Sequence, residues 1–185
     1  SLRARILLLL VLVGLIPCMV LGRTMLSAQQ EKSIARYIAQ IQNQSTILSS
    51  QLKNLSYLNE NESKVIDAEL TQLSNIFSGR ILIINDEFRI VKDTYELDEG
   101  KTVVSEDVIR CYHGKGTAIH DKENRYIEVT TPIKRDGDVV GICLISVSTD
   151  HIVENGNTLE GICDVIVGTM GLIILLIACL LYTSD

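Results

Sequence analysis

Two long uncharged runs, one near each end of the chain, constrain the fold more than any other feature. The first is Ile6 to Gly22, ILLLLVLVGLIPCMVLG, and the second is Val165 to Tyr182, VIVGTMGLIILLIACLLY. Each approaches the roughly 20 apolar residues that a helix needs to cross the core of a bilayer. The sequence therefore predicts two transmembrane helices with a polar domain between them.

A cleaved secretory signal peptide is the alternative for the first run, because Arg3 and Arg5 precede it. The run is long for a signal core, and Leu26 stands where cleavage after Ala28 would need a small residue. An uncleaved anchor is therefore favoured. Since only Arg23 follows the run closely, the positive-inside tendency predicts a cytoplasmic N terminus.

The intervening segment, residues 24–161, contains 14 of the 17 Lys and Arg residues and 21 of the 23 acidic residues. We expect it to be one extracytoplasmic domain, preceded by a cytoplasmic stub and first span (1–23) and followed by a second span (162–182). Residues 183–185 are expected to be a truncated or artefactual end, because CLLYTSD resembles translated sequencing-adapter read-through. The net charge of -6 disfavours a nucleic-acid partner.

Cysteine and histidine placement predicts neither a metal site nor a cofactor. Cys111 and Cys143 fall in the intervening segment, where they could form a disulfide in an oxidising compartment. Two free, buried thiols are favoured, since Cys143 sits in an apolar run and cysteine behaves there as a small hydrophobe. No Cys or His spacing resembles a zinc site.

Helical periodicity dominates the first half of the intervening segment. An apolar heptad stripe on one long helix is formed by Ile34, Ile38, Ile41, Leu48, Leu52 and Leu55, with Ser45 at the interrupted step. This stripe can pack on the domain's own sheet or on a second copy in a homodimer, and one helix can do both at different heights. A second helix is predicted from about Glu62 to Phe77.

After Gly79 the period changes from that of helices to that of strands. Strands are predicted at 80–85, 88–93, 116–121, 125–134 and 139–148, and Asp136-Gly137 provides a tight hairpin turn between the last two. Ser105 predicts the N-cap of a short helix that runs to about Tyr112. The fold class is thus α+β: a five-stranded antiparallel sheet with helices against one face.

Three segments carry a family resemblance: SGRILIINDEFRIVKDT, GKTVVSEDVIRCYHGKG and YIEVTTPIKRDGDVVGICLISVS. In order and spacing they resemble the PAS-like single Cache sensor domain of bacterial transmembrane histidine kinases. The last hairpin, with Pro132, Gly137 and Gly141, is the most specific part. The sequence departs from the family at Asp86-Glu87-Phe88, where the usual turn glycine is absent, so the geometry of that turn is open.

The resemblance implies a ligand cavity between the sheet and the segment from Tyr95 to His113. On the sheet side, Tyr126, Glu128 and Thr130 alternate with apolar residues and so share one face. Arg110, Tyr112 and His113 would complete a polar group able to bind a carboxylate or an amine. An ordinary solvated face is the simpler interpretation.

The acidic run YELDEG suggests a second site. Its carboxylates, Glu96, Asp98 and Glu99, could collect divalent cations, because hard cations prefer oxygen ligands. The spacing matches no defined metal-binding loop. A solvated charged turn is therefore the favoured interpretation.

The resemblance also implies a function. A Cache domain between two spans resembles the input module of a two-component sensor histidine kinase, whose cytoplasmic kinase is missing here, so this fragment is expected to have no enzyme activity. Chemotaxis receptors and membrane cyclic-dinucleotide cyclases carry similar input domains and are the alternatives, followed by a non-signalling membrane protein. The expected partners are the bilayer, a second copy and a small-molecule ligand. Residues 149–161 are expected to continue as a helix into the second span, although Gly156 and Gly161 also suit a passive tether.

Overall fold

The computed structural model of the protein describes residues 2–52, 58 and 64–183. Side chains are described for these residues except 2–12, 15, 18, 26, 151, 153–160, 163 and 177–183. Leu55 of the predicted stripe, and the predicted helix start at 62 and 63, lie outside the described residues. The chain divides into two compact units: residues 1–34 with 151–185, and residues 35–150.

Four helices and five strands are described, and most coincide with the predicted elements. In chain order they are α1 (Leu2–Leu52), α2 (Lys64–Phe77), β1 (Gly79–Asn85), β2 (Ile90–Asp93), α3 (Glu106–Tyr112), β3 (Thr117–Asp121), β4 (Tyr126–Arg135), β5 (Asp138–Ser148) and α4 (Asp150–Thr183).

The helical unit contains the first part of α1 and all of α4 after its first residue. Both uncharged runs fall within these helices, and part of each run lacks described side chains. In the part of the chain that the structure describes, no helix is both long and apolar enough to cross a membrane. Within the unit, Arg23 and Asp164 form an exposed ion pair at 3.4 Å. The backbone of α4 stays helical through Gly156 and Gly161.

The second unit is built on a five-stranded antiparallel sheet in the order β2-β1-β5-β4-β3, which confirms the predicted sheet. The Asp-Gly hairpin is also confirmed, because Asp136 and Gly137 have φ angles of 55° and 102°. In the β1–β2 turn, Phe88 adopts a left-handed φ of 59° without a glycine. The Asn85 side chain supports this turn by accepting hydrogen bonds from the backbone N–H groups of Glu87 and Arg89.

The first face of the sheet is covered by α1 and α2. Ser45 of α1 donates a hydrogen bond to Thr131 at 2.6 Å, and Tyr37 of α1 donates to the carbonyl of Phe77 at the end of α2. The predicted stripe residues Ile41, Leu48 and Leu52 are completely buried. This part of the stripe therefore packs within its own domain, as one of the two alternatives predicted.

The second face carries the short helix α3. Its Val108 and Cys111 pack in one core cluster with residues of β1, β2 and β5, namely Leu82, Ile84, Ile90, Ile142 and Leu144. The prediction that all helices lie against one face is thus wrong for α3. Ser105 accepts a hydrogen bond from the Val108 N–H as its N-cap, which confirms the predicted helix start.

Both cysteines of this unit are free and buried, as the sequence favoured. Cys143 lies on the first face, where its register partners are Ile83 and Thr131, whereas Cys111 belongs to the cluster on the second face. The sheet separates the two thiols. Burial raises the pKa of Cys143 to about 12 and that of Cys111 to about 11, so neither thiol is reactive in the folded state.

Candidate functional site

The second face of the sheet divides into an apolar half and a polar half. In the apolar half, Leu82 pairs with Leu144 and Ile84 pairs with Ile142 across β1 and β5, under α3. The polar half lies toward the start of β4 and the end of β5. We call its residues, Arg80, Tyr126, Glu128, Ser146 and Ser148, the polar shelf.

Strand register aligns the polar shelf in two rows. Ser146 of β5 pairs with Arg80 on one side and with Glu128 on the other, so these three side chains form one row across three strands. Tyr126 pairs with Ser148 in the next row. Because successive residues of a strand point to opposite faces, the predicted set Tyr126, Glu128 and Thr130 does share one face.

Glu128 is the unusual group on the shelf. It is half-buried, and among the described residues its carboxylate has neither a hydrogen-bond donor nor a cationic partner. Burial, followed by the negative charge of Asp107 on α3, raises the pKa of Glu128. The negative charge of Asp107 on α3 thus repels that of Glu128 on the sheet.

Thr130, the third predicted sheet residue, is buried and already bonded. Its hydroxyl lies 2.8 Å from the Thr117 hydroxyl and accepts a hydrogen bond from the Thr117 N–H at 3.1 Å. It also contacts the Cys111 thiol. Thr130 therefore ties β3 and α3 to β4.

The three residues predicted on the helix are not gathered at the shelf. Arg110 is exposed and forms an ion pair with Glu106 at 2.5 Å on its own helix. Tyr112 is partly buried and packs on Phe88, with ring centroids 5.2 Å apart. His113 is exposed at the helix C-cap, with its ring centroid 6.5 Å from that of Tyr112.

Arg80 belongs to the shelf by register, but its charge is used in a buried ion pair with Asp93. Asp93 has no exposed surface and receives hydrogen bonds from Arg80 Nε at 2.9 Å and Arg80 Nη2 at 2.5 Å. The backbone N–H groups of Tyr95, Leu97 and Asp98 donate three more. Although burial opposes it, these five donors hold the pKa of Asp93 far below its usual range.

The acidic run is held by cations of the protein itself. Asp98 contacts both Arg80 and Lys101 at 2.6 Å, and Glu99 lies 3.1 Å from Lys92. Within the described ranges, no group of three or more His, Cys, Asp or Glu side chains could hold a metal ion. The hydrogen bond from Lys101, followed by that from Arg80, lowers the pKa of Asp98. The divalent-cation hypothesis for Glu96, Asp98 and Glu99 thus finds no support, and the run stabilises a turn.

Sequence reasoning missed three residues that matter at this site. Asp107 lies four residues before Cys111, so both occupy the same side of α3, and the buried Cys111 could have indicated that Asp107 also faces the sheet. Arg80 and Asp93 are on adjacent strands. Because the register shifts between Ile83 and Ile84, counting residues back from the β1–β2 turn does not predict that Arg80 and Asp93 are neighbours.

Comparisons with solved structures find the same fold in several sensor domains. The sensor domain of the Vibrio cholerae histidine kinase DctB superposes with a TM-score of 0.53 at 12% identity, covering 72% of this chain and 59% of that one. The Escherichia coli DcuS sensor domain superposes with a TM-score of 0.55 at 12% identity, covering 70% of this chain and 98% of that one. The ligand-binding domain of the Campylobacter jejuni chemoreceptor Tlp3, in complex with 4-methylisoleucine, superposes with a TM-score of 0.54 at 14% identity. This match covers 75% of this chain and 62% of that one.

These likenesses establish the fold, which is that of bacterial sensor domains, as the resemblance to single Cache domains predicted. The chain spans about three fifths of the DctB and Tlp3 domains and nearly all of the DcuS domain. No known family profile matches the sequence. No curated protein matches it either.

Proposed function

We propose that this chain is the extracytoplasmic signal-sensing input module of a two-component sensor histidine kinase. The observation that carries the proposal is the fold: the 2-1-5-4-3 antiparallel sheet with long helices on one face and a loop and short helix on the other. The likeness to the DctB and DcuS sensor domains supports it. On this proposal the chain has no enzyme activity of its own, and catalysis belongs to a cytoplasmic kinase.

A chemotaxis receptor is the second candidate, and the likeness to Tlp3 favours it. The two classes of receptor share the input domain and differ in the cytoplasmic region that comes after the second uncharged run. A histidine kinase carries a phosphoacceptor helix there, whereas a chemotaxis receptor carries a long methylated coiled coil. A membrane cyclic-dinucleotide cyclase, the other alternative, would carry a cyclase domain.

The proposal includes two membrane spans, Ile6–Gly22 and Val165–Tyr182, with both termini in the cytoplasm. Their support is the sequence: each run is uncharged and near the length needed to cross a bilayer. Residues 24–161 are then extracytoplasmic. Protease treatment of sealed, inside-out vesicles should leave this segment intact, and cleavage within it would contradict the topology.

The polar shelf is the proposed ligand site, and an ammonium group fits it better than a carboxylate. Glu128 and Asp107 supply two negative charges that have no cationic partner among the described residues, and a charged amine could form charge-assisted hydrogen bonds to both. Arg110, the group predicted to bind a carboxylate, is already paired with Glu106. The Tlp3 complex with 4-methylisoleucine is a precedent for an amino-acid ligand in this fold.

A homodimer through α1 remains part of the proposal. Ile34, Ile41, Leu48 and Leu52 are buried, so among the described stripe residues a dimer contact would use Ile38, which is only partly buried. Single cysteines at Ile38 should cross-link in membranes, while a cysteine at the exposed Arg36 should not. Equal cross-linking at both positions would contradict this orientation.

A chimera tests the input function directly. Residues 1–182 are joined to the cytoplasmic part of a histidine kinase, and autophosphorylation is measured in vesicles with and without a mixture of the 20 amino acids on the extracytoplasmic side. We expect the mixture to change autophosphorylation in the parent chimera and not in one carrying Glu128→Gln. The same response in both chimeras would refute the shelf as the input site.

A further inference from the structure

The joint between β5 and α4 is held by a second segment of the chain, the β3–β4 turn. The N–H of Thr149, which lies between the two elements, donates a hydrogen bond to the carbonyl of Arg125 at 2.8 Å. Thr149 has no exposed surface. Its backbone is therefore fixed by the turn as well as by the strand that precedes it.

The turn is preorganised to present that carbonyl. Asp121 accepts hydrogen bonds from the N–H groups of Glu123 and Asn124, both at 2.9 Å, and from the Asn124 side-chain amide at 2.8 Å. Arg125 then adopts a left-handed φ of 56°. A residue with a Cβ atom rarely takes this conformation, so the surrounding hydrogen bonds must impose it.

Side chains reinforce the joint at the first residue of α4. Asp150 lies 3.6 Å from the Arg125 guanidinium, and its N–H donates to the Ser148 hydroxyl at 3.1 Å. The Ser148 hydroxyl in turn donates to the Asp150 carboxylate at 2.8 Å. The ion pair is more than half exposed on both sides, so it contributes less than the backbone bond.

The turn also adjoins the polar shelf. Arg125 directly precedes Tyr126, and Tyr126 pairs with Asp121 on β3 and with Ser148 on β5. A displacement of Tyr126 at the shelf would therefore move Arg125, the preceding residue. It would then act on the joint through the hydrogen bond between the Arg125 carbonyl and the Thr149 N–H.

We propose that the β3–β4 turn is a conformational coupling element that holds the start of α4 through the bond between Arg125 and Thr149. Its role in signalling rests on the proposed function, whereas the bond itself does not. Hydrogen exchange of the 185-residue chain without any ligand tests the coupling element. Failure of that test would leave the ligand site untouched, and failure of the ligand site would leave this bond in place.

The experiment measures exchange of the Thr149 amide in matched turn variants. Asp121→Ala removes the acceptor that organises the β3–β4 turn, and Thr149 should then exchange about tenfold faster because its partner carbonyl is no longer positioned. Asn85→Ala makes the equivalent change in the β1–β2 turn, where Asn85 also accepts two backbone N–H groups, and should leave Thr149 unchanged. Equal exchange at Thr149 in the two variants would overturn the proposal.

If Asp121→Ala also accelerates exchange in the core of β5, the variant destabilises the whole sheet. Two substitutions of Arg125 then test the bond between Arg125 and Thr149 separately. Arg125→Gly keeps the left-handed conformation available while it removes the side chain with its guanidinium, so Thr149 should stay protected. Arg125→Pro fixes φ near −65°, so protection of Thr149 should be lost. Loss of protection in the glycine variant, or its persistence in the proline variant, would refute the role of the backbone bond.

Discussion

The ion pair between Arg80 and Asp93 makes the sharpest prediction about what stabilises the sheet domain. Asp93→Asn keeps the shape of the side chain but removes its charge and places an amide N–H group against the guanidinium. Because Asp93 has no exposed surface and receives five hydrogen bonds, water cannot replace the lost contacts on the Asp93 side of the pair. Breaking such a pair costs about 3–5 kcal/mol, and we expect the lower end because Asp98 still contacts Arg80.

The assay monitors unfolding of the domain through a thiol in its core. Cys143 is completely buried, so urea-dependent labelling of this cysteine, read by peptide mass spectrometry of the detergent-solubilised chain, reports unfolding of the sheet. A loss of about 3 kcal/mol lowers the urea midpoint by about 2 M at a slope of about 1.5 kcal/mol per M. Asp98→Asn is the matched control: its side chain is 34% exposed, so this substitution should lower the urea midpoint much less than Asp93→Asn does.

The same pair sets a pH dependence. The folded-state pKa of Asp93 lies below its unfolded value of about 3.9, so the folded state binds the proton more weakly. The stabilisation is fully present above the unfolded pKa and is lost as pH falls through the folded pKa. The parent chain should thus lose stability below about pH 4 more steeply than Asp93→Asn does. Equal midpoints for Asp93→Asn and Asp98→Asn, or parallel acid profiles, would refute the reasoning.

Two further predictions concern opposite faces of the sheet. Glu128→Gln should stabilise the domain at neutral pH, because burial and the charge of Asp107 raise the folded-state pKa of Glu128 and so make its ionisation destabilising. This gain in stability should vanish as pH falls below the unfolded-state pKa of about 4.3. A gain that stays constant with pH in urea titrations would contradict the prediction. On α1, Ser49 is buried with no partner for its hydroxyl among the described residues, whereas Ser45 bonds Thr131. Ser49→Ala should therefore raise stability by about 1–2 kcal/mol and Ser45→Ala should not, and equal urea midpoints would contradict the difference.

Much of the sheet domain is determined by local sequence rules. Strand alternation placed Tyr126 and Glu128 on one face, Asp136-Gly137 specified the hairpin, and Ser105 specified the start of a helix. Each of these signals depends on residues within a few positions of one another. A strand period of two and a turn that needs positive φ leave few alternatives.

The features that sequence reasoning missed depend on tertiary packing. Helix α3 has only seven residues, too few for its apolar periodicity to define the buried side, so the resemblance and residue polarity together pointed to Arg110 and not to Asp107. Ile41, Leu48 and Leu52 of the predicted stripe are buried, yet a stripe does not identify its partner. The burial of Ile41 and Leu48 depends on the sheet that comes after them in the chain.

Ligand titration of the 185-residue chain tests the central claim, that the polar shelf is the input site of a sensor domain. Each of the 20 amino acids is titrated calorimetrically beside its N-acetyl counterpart, which lacks the ammonium group. We expect at least one free amino acid to bind, its N-acetyl form to bind at least tenfold more weakly, Glu128→Gln to weaken binding similarly, and Arg110→Ala to leave it unchanged. The account would be contradicted if no amino acid binds. It would also be contradicted if neither N-acetylation of the ligand nor Glu128→Gln changes the binding affinity.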